Sequence, residues 1–392
     1  MILESLRLIN FKNYSDCSFN FNPKLNFIYG DNGNGKTNIL EAVSFLCYTK
    51  SFLQSSEQDC VKYGQEKLEV SGEFKNLLDQ ASKVLFIYDK QASKKNILIN
   101  GEQVSRQNSF FGKIPLVVLS PGDIKLTTGT PNDRRRSFDI LISQISRLYF
   151  DDLKNYNRVL KQKNSLLKEN FTLKKYSPER LRDMVELWND ELVQYGVKII
   201  LKRIEIVKEF QKYLEENFKN IVGSAYVPLI RYQSELINEP EEAAEEVLKD
   251  NFKRVAAEKF PHEIKRGMSL TGPQRDNYVF GMRKNGDFFD LKNFASQGEH
   301  KTFLVSLRLS EYIYLNDKLE GTSAGEPVLL LDDVFSELDK NRVEKICRIL
   351  PKLNQVFITT TDKAYQGVIN NYLSNKDITA FNIVNGSIQT TD

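Results

Sequence analysis

A glycine-rich loop near the start of the chain constrains the fold more than any other feature. Gly30, Gly35, Lys36 and Thr37 have the spacing of a phosphate-binding loop: Gly, four residues, Gly, Lys and then Ser or Thr. The apolar run Leu25–Tyr29 comes directly before it, and a segment with apolar residues at helical spacing follows. A strand, such a loop and a helix are the context that phosphate binding requires. The sequence therefore predicts an α/β fold around a nucleotide site.

Each position in this loop has a physical role in holding a triphosphate. Glycines let backbone N–H groups wrap the β-phosphate, Lys36 places a positive charge against the β- and γ-phosphates, and the Thr37 hydroxyl is a ligand for Mg²⁺. The dipole at the amino end of the following helix favours an anion at the same place. We expect these loop residues to contact the nucleotide: Gly30, Asp31, Asn32, Gly33, Asn34, Gly35, Lys36 and Thr37.

A second element lies far along the chain from the loop. Val328–Leu331 is an apolar run that predicts a buried strand, and it ends in Asp332 and Asp333. Such a strand places carboxylates at the sheet edge where phosphates bind. We expect Asp332 to hold Mg²⁺ together with Thr37, and Asp333 to orient or deprotonate the attacking water, with Lys36 as the other catalytic residue. The long separation argues against a small kinase or a Ras-like GTPase.

The hydrophobic pattern divides the rest of the chain. Residues 68–120 contain short apolar runs between polar breaks, and Asn100–Gly101 is typical of a hairpin turn, so we expect an antiparallel sheet there. Apolar residues from Leu181 to Phe210 recur at heptad-like spacing and predict one helix of about forty residues. The expected domains are a head in two parts, 1–125 and 266–392, and an inserted helical arm domain, 126–265.

Composition excludes several other classes of protein. Lys and Arg number 55 and Asp and Glu 52, so the net charge is +3, and hydrophobic residues make up 41% of the chain, which is unlike a histone or a disordered protein. The four cysteines form no C-x-x-C pair and there are two histidines, which argues against zinc sites and for a reducing compartment. Because neither a membrane span nor a secretory signal is recognisable, we expect a cytoplasmic protein without a membrane partner.

Two further motifs narrow the class. The signature-like motif Ser296–Glu299 precedes a predicted helix, and Ser336-Glu337-Leu338-Asp339 follows the acidic pair. In this order the motifs resemble those of the ATP-binding-cassette (ABC) ATPases, in particular their chromosome-maintenance and repair branch. The resemblance implies an ABC-type ATPase head with mixed sheets, in which ATP is held between two copies of the protein. It implies that these residues bind the ATP of the opposite copy: Ser296, Gln297, Gly298, Glu299 and Asp339.

Within this branch the chain resembles the RecF family over almost its whole length. Besides the motifs above, the matching segments are Leu8–Tyr14, Pro131–Asp139 and Thr271–Asp276. The resemblance implies that Lys12 and Asn38 also contact the nucleotide. It further implies a protein that forms a homodimer with ATP and Mg²⁺, hydrolyses ATP slowly and binds DNA without sequence specificity. Such proteins act with RecO and RecR to load RecA at gaps during replication and repair, in the bacterial cytoplasm at the nucleoid.

Some positions depart from the pattern of this superfamily. Glu299 stands where Gln is usual and adds a charge near the triphosphate. Asp333 is shorter than the Glu of transporters, which fits slow hydrolysis. After the predicted strand Val356–Thr359 there is no switch histidine but Thr360-Thr361-Asp362, so we expect a sensor there to use hydroxyl or carboxylate groups.

Basic residues in and near the arm are the candidates for binding DNA. Contacts from such residues to phosphates give affinity without sequence specificity, and that affinity depends strongly on salt. The alternative is a solvated helix face, or internal bracing of the head through carboxylates by Arg134 and Arg135. The candidates are Arg134, Arg135, Arg136, Lys161, Lys163, Lys202 and Arg203.

Two other protein classes share the nucleotide motifs. One is the nucleotide-binding subunit of a membrane transporter, against which the helical insert and the missing switch histidine both argue. The other is a structural head joined to a long coiled coil, for which the insert is too short. ATP-dependent dimerisation and DNA binding by the purified protein alone would separate these classes from a repair ATPase.

Overall fold

The structure of the chain is a computed structural model. It describes residues 1–76, 80–104, 110–223, 225–237, 244–322, 324–336 and 338–389. The chain divides into two compact units. The first consists of Met1–Ile124, Glu216–Val227 and Ala295–Asp392, and the second of Lys125–Glu215 and Pro228–Phe294.

Strands dominate the two ends of the described chain and helices its middle. None of the helices in the described segments is long and apolar enough to cross a membrane. The strands are β1 (Ile2–Phe11), β2 (Tyr14–Asn20), β3 (Leu25–Tyr29), β4 (Lys67–Lys75), β5 (Ala81–Asp89), β6 (Lys94–Ile99), β7 (Glu102–Gln103), β8 (Leu116–Leu119), β9 (Val227–Gln233), β10 (Asn277–Lys284), β11 (Asp287–Asp290), β12 (Val328–Asp332), β13 (Gln355–Thr360), β14 (Ile378–Val384) and β15 (Ser387–Gln389). The helices are α1 (Lys36–Tyr48), α2 (Glu57–Cys60), α3 (Ile124–Thr128), α4 (Pro131–Ile145), α5 (Arg147–Leu173), α6 (Pro178–Val222), α7 (Glu245–Arg266), α8 (Leu291–Phe294), α9 (Gln297–Leu319), α10 (Lys340–Cys347) and α11 (Ala364–Ile369).

An antiparallel sheet forms one layer of the first unit. Its strand order is β2-β1-β4-β5-β6-β7. In β4, buried Leu68, Val70 and Phe74 alternate with more exposed residues, as expected for a sheet with one face on the core. Asn100 and Gly101 both have positive φ, 51° and 85°, and join β6 to β7, so the predicted hairpin is confirmed.

A mainly parallel sheet forms the second layer of this unit. Its strand order is β15-β14-β3-β13-β12-β8, and β15 alone pairs antiparallel. Every residue of β3, β12 and β13 is buried, as expected for parallel strands that are covered on both faces. Since β3 and β12 both run parallel to β13, their carboxyl ends lie at the same edge of the sheet.

The prediction for β8 was wrong. The sequence pattern grouped Leu116–Leu119 with the antiparallel strands, whereas β8 pairs parallel with β12, and Val328 lies opposite Leu116. The apolar run Leu-Val-Val-Leu is typical of a strand inside a parallel sheet, and three of its four residues are buried.

Helix α1 lies between the two sheets and fixes the loop before it. Val43 of α1 belongs to one core cluster with Leu68 and Phe86 of the antiparallel sheet and Ile28 and Leu330 of the parallel sheet. Burial on several sides of α1 exceeds what a surface helix with one apolar stripe shows. The start of α1, where the phosphate-binding loop ends, is therefore held by the core.

The second unit is mostly helical. The predicted long helix is present as α6, with 45 residues, and Leu181 and Val185 pack against Leu167 and Phe260. The unit also contains the three-stranded sheet β11-β10-β9, of which the sequence analysis did not identify β9. Strand β10 pairs with both β9 and β11, and the unit extends to Phe294, beyond the boundary expected at residue 265.

Candidate nucleotide-binding site

Two glycines of the loop adopt backbone conformations that other residues rarely reach. Gly30 has φ of 144° and Gly35 has φ of 103°. A Cβ atom at Gly30 would lie 2.3 Å from the carbonyl oxygen of Ile383, and one at Gly35 would lie 2.4 Å from Nδ2 of Asn13. Positive φ and close approach together require glycine at both positions.

Lys36 lies inside the loop, where its amino group donates hydrogen bonds to main-chain oxygens of the loop itself. Nζ donates hydrogen bonds to the carbonyl oxygens of Gly30, at 2.7 Å, and of Asp31, at 2.9 Å. Burial lowers the pKa of Lys36, and the carboxylates of Asp333 and Asp332 oppose this change. In the described chain no side chain caps the amino end of α1, so its first N–H groups can bind an anion.

The acidic pair meets the loop at the carboxyl end of β12. Buried Asp332 accepts hydrogen bonds from Oγ1 of Thr37, at 2.9 Å, and from Oγ1 of Thr359, at 2.6 Å. Desolvation raises the pKa of Asp332, although both hydroxyl groups stabilise its charged form. Asp333 has a positive φ of 49°, and its N–H donates to Oγ1 of Thr359, at 3.0 Å. Thr359 therefore holds both acids in place.

The oxygen atoms of Thr37 and Asp332 fit a magnesium ion. Hydroxyl and carboxylate oxygens are the ligands that Mg²⁺ prefers, and phosphate oxygens and water usually complete its six positions. Within the described residues no group of three or more His, Cys, Asp or Glu side chains is arranged to hold a metal ion. A magnesium ion here would thus depend on oxygens from the nucleotide as well as on Thr37 and Asp332.

Residues outside the loop also support it. The Tyr14 hydroxyl donates to the carbonyl oxygen of Gly35, at 3.0 Å, and Nδ2 of Asn13 donates to the carbonyl oxygen of Asn34, at 2.9 Å. Asn38, which was expected to contact the nucleotide, donates through Nδ2 to Oδ1 of Asn13, at 2.8 Å. Sequence reasoning did not assign Asn13, Tyr14 or Thr359 to the site. Asn13 and Tyr14 belong to the segment Leu8–Tyr14 that matches the family, which is the signal that could have indicated them, whereas no motif identifies Thr359.

Lys12 has a buried partner within its own chain. Its Nζ lies 3.3 Å from Oε2 of Glu41, a side chain of α1 with no exposed surface. Lys12 therefore neutralises the carboxylate of Glu41, which would otherwise be an unpaired charge inside the fold. Its contact with nucleotide stays a prediction.

The signature-like motif forms the amino end of α9. Ser296 is the N-cap of the helix, and its Oγ donates to Oε2 of Glu299, at 2.8 Å, while its N–H donates to the same oxygen at 2.8 Å. The N–H of Glu299 in turn donates to Oγ of Ser296, at 3.4 Å, and this reciprocal arrangement is a capping box. The hydrogen bonds from Ser296 lower the pKa of Glu299. Gln297 is exposed beside it, and Gly298 is half-buried.

The segment after the acidic pair contacts the signature helix. Nζ of Lys301 in α9 donates to Oγ of Ser336, at 2.8 Å, and also to its carbonyl oxygen. Asp339 is the N-cap of α10 and accepts from the N–H of Arg342, at 3.0 Å. Glu337, in the predicted D-loop, lies outside the described residues.

The expected sensor segment forms a local turn. The N–H of Asp362 donates to Oγ1 of Thr360, at 3.2 Å, and Oδ1 of Asp362 accepts from the N–H of Ala364, at 2.8 Å. Thr360 is buried at the end of β13, directly after Thr359. Thr359 is the residue next to this segment whose hydroxyl group contacts the acidic pair.

Two of the predicted DNA-binding residues lie in the interior of the second unit. Lys163 and Arg203 each expose only 2% of their side chains. Nζ of Lys163 lies 2.8 Å from Oε2 of Glu263, and Arg203 pairs with Asp139 at 2.8 Å and donates to the carbonyl oxygen of Pro273 at 2.8 Å. Both cations form ion pairs inside the second unit, where a buried charge needs a partner of opposite sign.

The neighbouring arginines are also braced internally. Arg134 is buried and donates to the carbonyl oxygens of Leu126 and Gly129, and Arg135 donates to the carbonyl oxygen of Asp276, at 2.5 Å. The bracing kept as an alternative is therefore found within the second unit rather than in the head, and these acceptors are carbonyl groups rather than carboxylates.

The three remaining DNA candidates keep accessible charge. Arg136 and Lys161 are exposed. Nζ of Lys202 lies 2.7 Å from Oε1 of Glu205, in a pair that is open to solvent. Exposed pairs of this kind are weak, so all three side chains can reach a phosphate group.

Comparison with known proteins agrees with the motifs and the geometry. The family model described as the RecF/RecN/SMC N terminal domain matches residues 2–375. A protein of Chloroherpeton thalassium called DNA replication and repair protein RecF is 37% identical over 366 residues, which cover 93% of this chain and 95% of the relative.

Solved structures agree as well. The structure of the recombination mediator protein RecF with ATP in the RecFOR pathway has a TM-score of 0.83 at 30% identity, and the match covers 99% of this chain and 98% of that one. The Smc head domain of Pyrococcus furiosus has a TM-score of 0.57 at 15% identity and covers 99% and 95% of the two chains, which shows a shared fold. The fold is the α/β head of the ABC-type ATPases, with mixed sheets and helical arm, and the chain belongs to the RecF family within the RecF/RecN/SMC proteins.

Proposed function

We propose that this protein is an ATP-dependent, DNA-binding recombination mediator in DNA replication and repair, and that ATP joins two copies of it. The observation that carries the proposal is the meeting of Lys36, Thr37 and Asp332 at one edge of the parallel sheet. Relatives named as DNA replication and repair proteins, and solved structures of a recombination mediator with ATP, support it.

ATP would bind with its phosphates against the loop and the amino end of α1. In the bound state the amino group of Lys36 exchanges the carbonyl oxygens of Gly30 and Asp31 for β- and γ-phosphate oxygens. Mg²⁺ supplies charge neutralisation for the phosphates when it is held by Thr37 and Asp332. We propose the remaining loop residues as backbone contacts, because glycine-rich loops of this kind hold phosphates through their N–H groups.

The second half of the ATP site would come from another copy of the chain. Ser296 and Gly298 lie at the amino end of α9, where a hydroxyl group and a helix dipole both favour an anion. In the free protein Glu299 occupies the hydroxyl of Ser296, so the γ-phosphate of the opposite copy has to displace that hydrogen bond. Pairing is therefore sensitive to whether ATP is present.

Hydrolysis would separate the two copies again. Asp333 is half-buried beside the acidic ligand Asp332, and Thr359 fixes its backbone. From this place its carboxylate can orient a water molecule and accept its proton. We propose slow hydrolysis as the reset step of the switch.

DNA would be held through its phosphates by exposed cations, with Arg136, Lys161 and Lys202 as the candidates that remain. We propose action with RecO and RecR, and loading of RecA at gaps, on the basis of family membership. The proposed location is the bacterial cytoplasm.

The decisive test of ATP-dependent pairing is Ser296→Arg. The bulky cation fills the space for the phosphate of the opposite copy and leaves the loop at Gly30–Thr37 unchanged. Light scattering with ATP should show dimers of the wild type and monomers of the variant, while each monomer still binds ATP. Gap-containing DNA should bind the wild type more tightly with ATP than without it.

Ser374→Arg is the matched control for this test. Ser374 is an exposed serine cap whose hydroxyl donates to Asp377, at 2.5 Å, in the same way that Ser296 meets Glu299, but it lies outside the motifs. Its variant should dimerise like the wild type. Persistent dimers of Ser296→Arg would show that Ser296 only caps a helix and that the proposed sandwich is wrong.

Asp333→Asn tests the reset step. The change keeps the shape of the side chain and removes its ability to accept a proton, which is worth typically about 10²–10⁴-fold in rate for a general base. ATP should still bind, so dimers should form and last longer than those of the wild type. Steady-state hydrolysis at the wild-type rate would assign the base to another residue.

A further inference from the structure

The amino end of the signature helix carries more negative charge than a phosphate-binding end should. The carboxylate of Glu299 is held there by the capping box. Asp339 caps the neighbouring helix α10, and more than half of its side chain, 55%, is exposed. Two carboxylates beside the position proposed for a γ-phosphate would repel it unless a cation lies between them.

Arg342 is the cation in that position. Its Nη1 lies 3.3 Å from the point that a Cβ atom would occupy at Gly298, so the guanidinium group rests against the signature glycine. The same Nη1 lies 3.3 Å from Oδ2 of Asp339, and the positive charge of Arg342 contributes to the lowered pKa of Glu299. Arg342 thus faces both carboxylates and Gly298 at once.

Two other basic groups near the motif are less suited to supply this charge. Nζ of Lys301 donates to the carbonyl oxygen and the hydroxyl of Ser336. His300 also contributes to the lowered pKa of Glu299, but it is buried and desolvation lowers its own pKa, so at neutral pH its imidazole is mostly neutral. In the described chain the one ion pair of Arg342 is with Asp339, and exposed pairs of this type exchange readily with other anions.

We propose that Arg342 is a further nucleotide-binding residue, whose guanidinium group contacts the γ-phosphate of the ATP held by a second copy of the chain and offsets the charge of Glu299. A guanidinium group suits this role because its planar N–H donors match phosphate oxygens in pairs. The inference rests on the proposed pairing by ATP and adds to it the residue that makes a glutamate tolerable in the signature-like motif.

The experiment compares Arg342→Ala with Arg348→Ala, which removes the same charge from the opposite end of α10, where Arg348 donates to the Tyr372 hydroxyl. Dimer dissociation constants are measured with ATP by light scattering over a concentration series. ATP affinity of the monomer is measured with a fluorescent ATP analogue at high dilution. Arg342→Ala should raise the dimer dissociation constant at least about 10-fold, with monomer affinity close to that of the wild type.

Two further variants define the role of charge. Arg342→Lys should recover only part of the pairing, because an ammonium group cannot bind phosphate oxygens in the same paired geometry. Adding Glu299→Gln to Arg342→Ala should also recover part of it, since the repelling carboxylate is removed while the capping hydrogen bond is kept.

Several outcomes would overturn the inference. Equal dimerisation of Arg342→Ala and the wild type would do so, and so would equal losses in the Arg342 and Arg348 variants. A monomeric wild type, or a dimeric Ser296→Arg protein, would instead overturn the proposed pairing and the inference together. The failure of the inference alone is thereby distinguished from the failure of the proposed function.

Discussion

Lys36 in the first unit and Arg203 in the second are both buried cations, but their partners differ in kind. Arg203 pairs with the carboxylate of Asp139 and also donates to the Tyr149 hydroxyl, at 3.0 Å. Lys36 donates to carbonyl oxygens of its own loop. A cation whose charge is neutralised inside the fold is structural, whereas a cation resting on neutral acceptors can exchange them for phosphate.

The largest effect that separates the two cations is expected for Arg203→Met. Removing the guanidinium group leaves Asp139 and buried Asp276 without their counter-charge, which typically costs about 3–5 kcal/mol of unfolding free energy. Urea unfolding should show the loss as a shift in midpoint. ATP affinity should not change.

Lys202→Met is the control, because Lys202 is next in sequence and its pair with Glu205 is open to solvent. Its unfolding free energy should stay within about 0.5 kcal/mol of the wild type. If Arg203→Met were as stable as the wild type and bound DNA less tightly, Arg203 would be a DNA ligand and the comparison would fail.

The opposite result is expected for Lys36→Met. The variant loses charge-assisted hydrogen bonds to the phosphates, which corresponds to roughly a 100-fold loss of ATP affinity. Its stability should change little, since only carbonyl oxygens of the loop lose a donor. Titration calorimetry with ATP and Mg²⁺ measures the affinity.

Lys24→Met serves as the control for Lys36→Met, because Nζ of Lys24 also donates to a carbonyl oxygen, that of Leu353 at 2.6 Å, but lies outside the loop. It should bind ATP like the wild type. Unaltered affinity in Lys36→Met would remove the assignment of the phosphate-binding loop.

The smallest expected effect is a pH dependence of the unfolding free energy that comes from Asp276, beside Arg203. Burial raises the pKa of Asp276 to about 6, despite the nearby Arg203 and a hydrogen bond from Tyr232. The folded state therefore holds a proton that the unfolded state releases near pH 4, and this contribution to stability is lost as the pH rises through 6. The unfolding free energy of the wild type, relative to Asp276→Asn, should fall between pH 4 and 6 by about 2 kcal/mol. A constant difference over this range would show that Asp276 is ionised throughout.

Much of the head could be predicted because its signals are local. The strand–loop–helix pattern around Gly30–Thr37 and the apolar run ending at Asp332 need only neighbouring residues, and both were identified. The same holds for α6, whose apolar spacing extends over many turns.

The rest depends on partners that are distant in sequence. Arg203 and Lys202 look equivalent in the sequence, and only the fold shows that Asp139 and the carbonyl oxygen of Pro273 surround Arg203. β8 was assigned to the wrong sheet because its parallel partner, β12, comes some two hundred residues later, and an apolar run alone does not name its neighbour.

The single proton of the Thr359 hydroxyl has a consequence for the two acids. Thr359 donates this proton to Asp332 and accepts the N–H of Asp333 on an oxygen lone pair. Because a hydroxyl group has one proton, Thr359 is the donor to Asp332 and the acceptor from Asp333. A change of protonation or of ligand at Asp332 alters how strongly Thr359 holds the backbone at Asp333. Asp332, which would bind the metal, and Asp333, which would activate water, would therefore respond to the nucleotide together, through the hydroxyl oxygen of Thr359.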